Sequence, residues 1–338
     1  MNVITGGTGS VGMHLVREWL ANGESVRLIV RPGSDRQRVQ SFLKATLPED
    51  PMAFDRIEWA EGDVTDGLSL EDAFEGAHRV VHAAALVSFN RRDAQRMMEV
   101  NREGTANVVN AMLAQGVEEL VYISSVAALG RKPGEPEVHE ETVFEDGPEI
   151  SDYARSKYRA ELEVWRGQEE GLRVSVLNPV IVIGPGDYSR SSAALMTQVA
   201  QGLRFYPKGS NGFVAADDVA TVAWKLVEGG VWGERFVVCG FHATYRELFN
   251  AMADALGMRS PQWPVHRWVA ELAWRVARLA EILTRRPAFV TREALRTSAR
   301  NHRYRTEKIQ QKLKFDFTPL LPTVQRTAED YLRSRTGR

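Results

Sequence analysis

Tyr153 and Lys157 stand four residues apart in a helical pattern, which places both side chains on one face. An ammonium beside a phenol favours the ionised phenol, bringing a group that ordinarily titrates at about 10 closer to the range in which it can move protons. Such a tyrosine can give a proton to a carbonyl oxygen or take one from an alcohol. The same spacing also occurs on solvated helix faces, so a second group must decide between the two readings. Ser124 and Ser125 supply it. They close an apolar run at the carboxyl end of a strand, where open parallel sheets bind ligands, and a hydroxyl there can hydrogen-bond a carbonyl.

The run Thr5, Gly6, Gly7, Thr8, Gly9, Ser10, Val11, Gly12 lies between a short β-branched run and an amphipathic helical pattern. Gly6, Gly9 and Gly12 permit a tight turn, close approach of a pyrophosphate to backbone N–H groups, and close packing of helix on strand. A dinucleotide suits that placement. The second strand ends at Arg31, with Arg36 nearby and no carboxylate before Asp35. NAD users commonly place an acid there for the ribose hydroxyl, whereas NADP users place a base for the 2′-phosphate. NADP(H) is therefore favoured, with NAD(H) as the alternative.

These residues need elements to hold them. Strands are expected over residues 3–5, 26–30, 57–59, 80–83, 120–124 and 174–177, and helices over 11–22, 37–45, 94–115 and 153–169. That alternation predicts an α/β fold, a Rossmann-type doubly wound parallel sheet with a smaller, mostly helical C-terminal lobe. The dinucleotide-binding domain is placed at 1–178, with 213–240 returning to it and a helix over 217–227. Residues 179–212 and 241–338 are assigned to the substrate lobe, where 236–239 is the only further clear strand. A long Pro- and Gly-rich loop over 131–148 is placed beside the active site.

Composition narrows the class. Lys plus Arg numbers 43 and Asp plus Glu 44, a net charge of −1, which excludes a surface built wholly for nucleic acid or anionic lipid. The single cysteine, Cys239, excludes an internal disulfide and a multi-cysteine metal site and fits a cytoplasmic setting; it is read as a small buried hydrophobe. No run approaches the roughly 20 apolar residues of a membrane span. His78 and His82 are spaced as helical metal ligands would be, but on a strand they stand about 13 Å apart, so no metal is assigned. The expected partner is a small-molecule substrate, with a homodimer left open.

The ordered motifs resemble those of the extended short-chain dehydrogenase/reductase family, the NAD-dependent epimerase/dehydratase superfamily. The resemblance implies that Asp63 and Val64 contact the adenine, that His82, Ala83, Ala84 and Ala85 form the cofactor floor, and that Pro179 and Val180 also meet the cofactor. It implies catalysis by Ser125, Tyr153 and Lys157, with Asn101 holding a water for proton relay. Ser125 is preferred because the family's serine stands five residues before a glycine, here Gly130; Ser124 is the fallback. The run from Val81 to Phe89 is similar to dihydroflavonol-reductase-like and 3β-hydroxysteroid-dehydrogenase-like members. An NADPH-dependent carbonyl reductase, or alcohol dehydrogenase in reverse, is the leading expectation. It would act on an apolar ketone or aldehyde, with walls from Leu86, Val87, Phe89, Leu129, Tyr188, Leu195, Phe205 and Tyr206.

The rival is a nucleotide-sugar epimerase or dehydratase, for which Asn178 is the one favourable feature among the aligned positions. Arg190, Arg204 and Lys208 would have to fold inward to supply its missing charge. A non-catalytic cofactor-binding scaffold or sensor is the third reading. Residues 259–305 hold eleven arginines against three glutamates. A helix over 265–283 there is expected to carry an apolar stripe, with Trp274 opposite among Arg267, Arg275 and Arg278.

Overall fold

The structure, a computed structural model, describes residues 1–131, 136–189, 191–265 and 297–336. Its strands are β1 (Asn2–Thr5), β2 (Val26–Val30), β3 (Ile57–Glu61), β4 (Arg79–His82), β5 (Glu119–Ile123), β6 (Arg173–Pro179), β7 (Ile181–Ile183), β8 (Phe205–Tyr206), β9 (Ser210–Ala215), β10 (Glu234–Val238), β11 (Phe241–Thr244) and β12 (Trp263–Pro264). Seven of them form one parallel sheet in the order β10-β6-β5-β4-β1-β2-β3. The reversal of direction beside β1 is the topological switch point of a doubly wound sheet.

Alternation along each strand sorts the core. Ile4, Val81 and Val121 pack into one hydrophobic cluster with α1 (Ser10–Ala21) and α2 (Arg36–Thr46). Val3, Val80 and Leu120 face the opposite cluster, covered by α3 (Gly67–Phe74). Because both faces are covered, the strands read as nearly unbroken apolar runs. The predicted helix over 94–115 is divided: α4 (Ala94–Met97) passes through six π-helical residues, Met98–Glu103, into α5 (Gly104–Gln115). The wider turn lies at Asn101, which is 1% exposed. α6 (Asp152–Glu169) follows the long loop and begins with Ser151 as its N-cap.

The second lobe contains more sheet than its local pattern suggests. β11, β9 and β7 make a three-stranded sheet, and β8 pairs with β12. Their strands span two to six residues and pair with distant segments, so the expectation of a single further strand is corrected. α7 (Ala194–Ala200), α8 (Ala216–Glu228), α9 (Tyr245–Ala255), α10 (Glu307–Leu313) and α11 (Leu320–Thr336) complete the described elements. α8 packs back on α1 across the first cluster. The ring nitrogens of His14 on α1 face the Asp217 carboxylate at 2.6 Å and the Pro185 carbonyl at 3.0 Å. Asp218 then holds the C-terminal segment by accepting the Thr318 N–H and hydroxyl at 2.7 and 2.8 Å.

The long loop is tied outward through a bridge between Val138 and Tyr304. Most of the predicted helix over 265–283, with Trp268, Leu272, Trp274 and its arginines, lies outside the described residues, as does Arg190. Among the described residues no helix is long and apolar enough to cross a membrane.

Candidate active site

Parallel strands bring their carboxyl ends to one edge, so the loops after β1, β2, β3, β4, β5 and β6 converge there. Gly6 leaves β1 at φ +71°, a left-handed conformation natural to glycine. A Cβ on Gly6 would lie 2.6 Å from Ala84 N, and one on Gly12 would lie 2.0 Å from the Gly6 carbonyl oxygen. Any side chain at either position would push the turn apart. No side chain caps α1, and its first bond runs from the Met13 N–H to the Gly9 carbonyl at 2.9 Å. The N–H groups of Ser10, Val11 and Gly12 therefore precede the first intrahelical bond and suit an external anion. Gly9 is exposed and Thr8 half-buried beside them. This donor set, in a turn too tight for side chains, fits the pyrophosphate of a dinucleotide.

The next two loops fit the same ligand. Arg31 is exposed after β2. Burial pushes the Asp63 carboxyl up, but bonds from the Thr65 N–H and hydroxyl, with the charge of Arg31, outweigh this and hold it below the usual carboxylate range. The Arg36 guanidinium lies 5.1 Å over the Trp59 ring, and Val64 is buried beneath Gly104. After β4 the chain opens into Ala83, Ala84 and Ala85, with Ala85 exposed. His82 differs from these alanines. Its buried imidazole is held between Thr5 Oγ1 at 2.6 Å and Thr105 Oγ1 at 3.0 Å, and burial lowers it to about 3, so it is neutral. Pro179 ends β6 and Val180 follows it; both are buried, and Val180 joins the core.

The two serines after β5 are in unlike surroundings. Ser124 is 7% exposed and donates to Glu161 Oε2 at 2.7 Å. Ser125 is half-buried, caps a short 3₁₀ turn by accepting the Ala127 N–H, and has its hydroxyl on the side of the Tyr153 phenol, whose ionised form it favours. Lys157, 1% exposed, donates to Tyr122 Oη at 2.9 Å and to the Ile123 carbonyl at 3.0 Å. The expectation that Lys157 lowers the Tyr153 phenol is corrected. Burial pushes Tyr153 above its ordinary value, the Ser125 hydroxyl opposes this only in part, and the ammonium is committed to Tyr122. Burial also brings Lys157 down to about 7, against the charge of Glu161.

Asn101 clasps a different segment. Its amide donates to the Leu86 carbonyl and Ser156 Oγ, both at 2.9 Å, and accepts the Leu86 N–H at 2.7 Å. Its side-chain bonds thus run to the loop after β4 and to α6, not to Lys157. The substrate-wall expectation divides similarly. Phe89 is 45% exposed with its ring centroid 6.0 Å from that of Tyr153 in an edge-on arrangement, and Val87 is exposed on the same loop. Leu129 is fully buried in the core, which corrects its assignment to the wall, and Tyr188 is half-buried with its hydroxyl donating to Asp330 at 2.7 Å on α11.

The sequence profile of the NAD dependent epimerase/dehydratase family matches residues 2–239. The chain belongs to that family. It is an NAD(P)-dependent oxidoreductase of the extended short-chain type. It is similar to sterol demethylase protein B of Methylococcus capsulatus, at 33% identity over 77% of this chain and 76% of that protein. It is also similar to a putative dihydroflavonol 4-reductase of Synechocystis, at 28% identity over 92% of this chain and 88% of that protein. The fold is shared with the dTDP-glucose 4,6-dehydratase DesIV of Streptomyces venezuelae, solved with NAD and TYD bound. That likeness has a TM-score of 0.76 at 21% identity, covering 99% of this chain and 98% of that one.

Within this member of the epimerase/dehydratase family, several residues of the site lie outside its sequence motifs. Thr105 meets the His82 ring and donates to the Asn101 carbonyl, and Glu161 collects Ser124, Asn178 and Arg235. The spacing of Lys157 and Glu161, four residues apart on one helix, was a usable signal. Arg235 gave none, because only the sheet order brings β10 beside β6. Asn178, the feature favouring a nucleotide sugar, is fully buried and donates inward to Ser125 O at 3.0 Å and Glu161 Oε2 at 2.9 Å.

Proposed function

We propose that this chain is an NADPH-dependent carbonyl reductase for an apolar ketone or aldehyde. The carrying observation is the Tyr153 hydroxyl, under the influence of the Ser125 hydroxyl and flanked by the exposed ring of Phe89. A proton donor and a hydrogen-bond donor meet there beside an apolar face. The relatives' names speak of a sterol and a dihydroflavonol, both carbon-ring molecules, which supports the same class.

The cofactor would be held by the glycine turn and the start of α1, with Asp63 toward its adenine end and Arg31 and Arg36 as the charges for a 2′-phosphate. When bound, a reduced nicotinamide supplies hydride to the carbonyl carbon. Ser125 Oγ donates to the carbonyl oxygen and holds it against Tyr153. Tyr153 gives its proton to that oxygen, completing the alcohol, and burial ensures that the phenol is protonated beforehand. The Ser125 hydroxyl then stabilises the phenolate left behind, while Lys157, one turn along the helix and bonded to Tyr122, would hold the cofactor. Asn101 fixes the Leu86 backbone at the base of the apolar loop, so its role in this account is to place the wall.

A nucleotide-sugar epimerase or dehydratase is the second reading, favoured by the breadth of the family. It would need cationic or amide groups converging on two phosphates, and the amide of Asn178 is turned away from the cleft. Thermal unfolding with NADPH present separates the two readings, because a ligand that binds only the folded state raises its stability. Stabilisation by aryl or alicyclic ketones, and none by uridine or deoxythymidine diphosphate sugars at sub-millimolar concentration, is the expected outcome. The reverse pattern overturns the proposal.

A further inference from the structure

Glu161 is 2% exposed, a placement that disfavours a charged carboxylate unless its oxygens are well met. They are met from three strands. Ser124 after β5 donates to Oε2 at 2.7 Å, Asn178 of β6 donates to the same oxygen at 2.9 Å, and Arg235 of β10 pairs with Oε1 at 3.1 Å. The Trp165 indole N–H completes the set at 3.4 Å. Asn178 also donates to the Ser125 carbonyl, while its own Oδ1 is buried without a partner. Turning that amide would set Oδ1 against two acceptors, the Glu161 carboxylate and the Ser125 carbonyl. The carboxylate thereby dictates how Asn178 grips the backbone that presents Ser125.

The same carboxylate stands one helical turn beyond Lys157, on the same face. The titratable groups facing Lys157 are Tyr122 from β5, Tyr153 and Glu161 on α6, and His82 from β4, which is neutral. Arg235 faces Glu161 from the far side. Of these, Glu161 is the group whose charge favours an ammonium at Lys157. We propose that Glu161 is a positioning residue: it keeps Lys157 charged and, through Ser124 and Asn178, fixes the backbone that aims Ser125 at Tyr153. This rests on the reading of Lys157 and Ser125 as part of the reductase machinery. It adds that their charge and placement are set from beneath the sheet edge, by a residue that touches neither substrate nor cofactor.

The test reads the lysine itself. The chain has eight lysines, so protein labelled with carbon-13 at the lysine Cε gives few signals, and that of Lys157 is identified by its loss in Lys157→Met. Glu161→Gln keeps an acceptor oxygen and the shape while removing the charge. It should lower the Lys157 titration midpoint by about one pH unit, and the alkaline limb of kcat/KM should move down with it. Arg235→Met, which leaves the carboxylate less neutralised, should move the midpoint up, and Glu161→Asp should restore most of the native value. An unchanged Lys157 midpoint in folded Glu161→Gln overturns the proposal. Should that variant fail to fold, a midpoint in Arg235→Met that stays put or falls overturns it. A midpoint that moves while the pH profile of turnover does not would uphold the influence of Glu161 and overturn the reading of Lys157 as part of the machinery.

Discussion

The glycine turn and the Tyr153 corner sit on one sheet edge and are built by opposite means. At the turn, backbone groups do the work, and side chains are excluded by contacts of 2.0 Å at Gly12 and 2.6 Å at Gly6. At the corner, side chains do the work, and each is held by further buried side chains: Lys157 by Tyr122, Ser124 by Glu161, and Asn101 by Ser156. A site made from backbone depends on residues adjacent in the chain. A site made from side chains depends on whatever the sheet order places beneath it.

This contrast predicts different losses on the two sides. Tyr153→Phe should lower kcat by about 10²–10⁴-fold while NADPH affinity stays near normal, because the ring still packs but has no proton to give. Retained turnover would place the acid elsewhere. Gly12→Ala should weaken NADPH by about tenfold to a hundredfold in a direct binding titration, since the added methyl meets the Gly6 carbonyl and the turn must open. Normal binding by that variant would break the account of the backbone cradle.

Arg31→Ala should weaken NADPH about tenfold and leave NADH almost unchanged, through loss of a charge-assisted bond to the 2′-phosphate. Equal loss for both cofactors would make Arg31 structural. The smallest effect concerns pH. Lys157 is held at about 7, so its charge is present below that value and lost above it. Tyr153, pushed above its ordinary value, stays protonated over the same range. Turnover should therefore decline as pH rises through about 7, and a plateau extending to pH 9 would show that the charge of Lys157 is not required.

The same contrast explains what could be read from the chain alone. Gly6, Gly9 and Gly12 are neighbours in sequence, and Tyr153 and Lys157 lie one turn apart, so local spacing reveals both. The main sheet was legible for a similar reason: each strand buried on both faces is a continuous apolar run, as in Val80 and Val81 or Leu120 and Val121. The small sheet of β7, β9 and β11 was not, because Ile181 pairs with Phe213 and Phe213 with Phe241 across long stretches of chain. Glu161 could be sensed from its spacing to Lys157, but Arg235 could not. The direction of the Tyr153 shift was misjudged on sequence because spacing fixes which residues share a face, whereas hydrogen-bond partners depend on the strand beneath.

Cofactor stoichiometry tests the central claim most directly. The protein would be incubated with NADPH and, separately, with aryl or alicyclic ketones and with nucleotide sugars, following both cofactor absorbance and product. A carbonyl reductase consumes one NADPH for each alcohol formed from a ketone and leaves the sugars unchanged. Conversion of a nucleotide sugar without net loss of NADPH, alongside no consumption with any ketone, would contradict it.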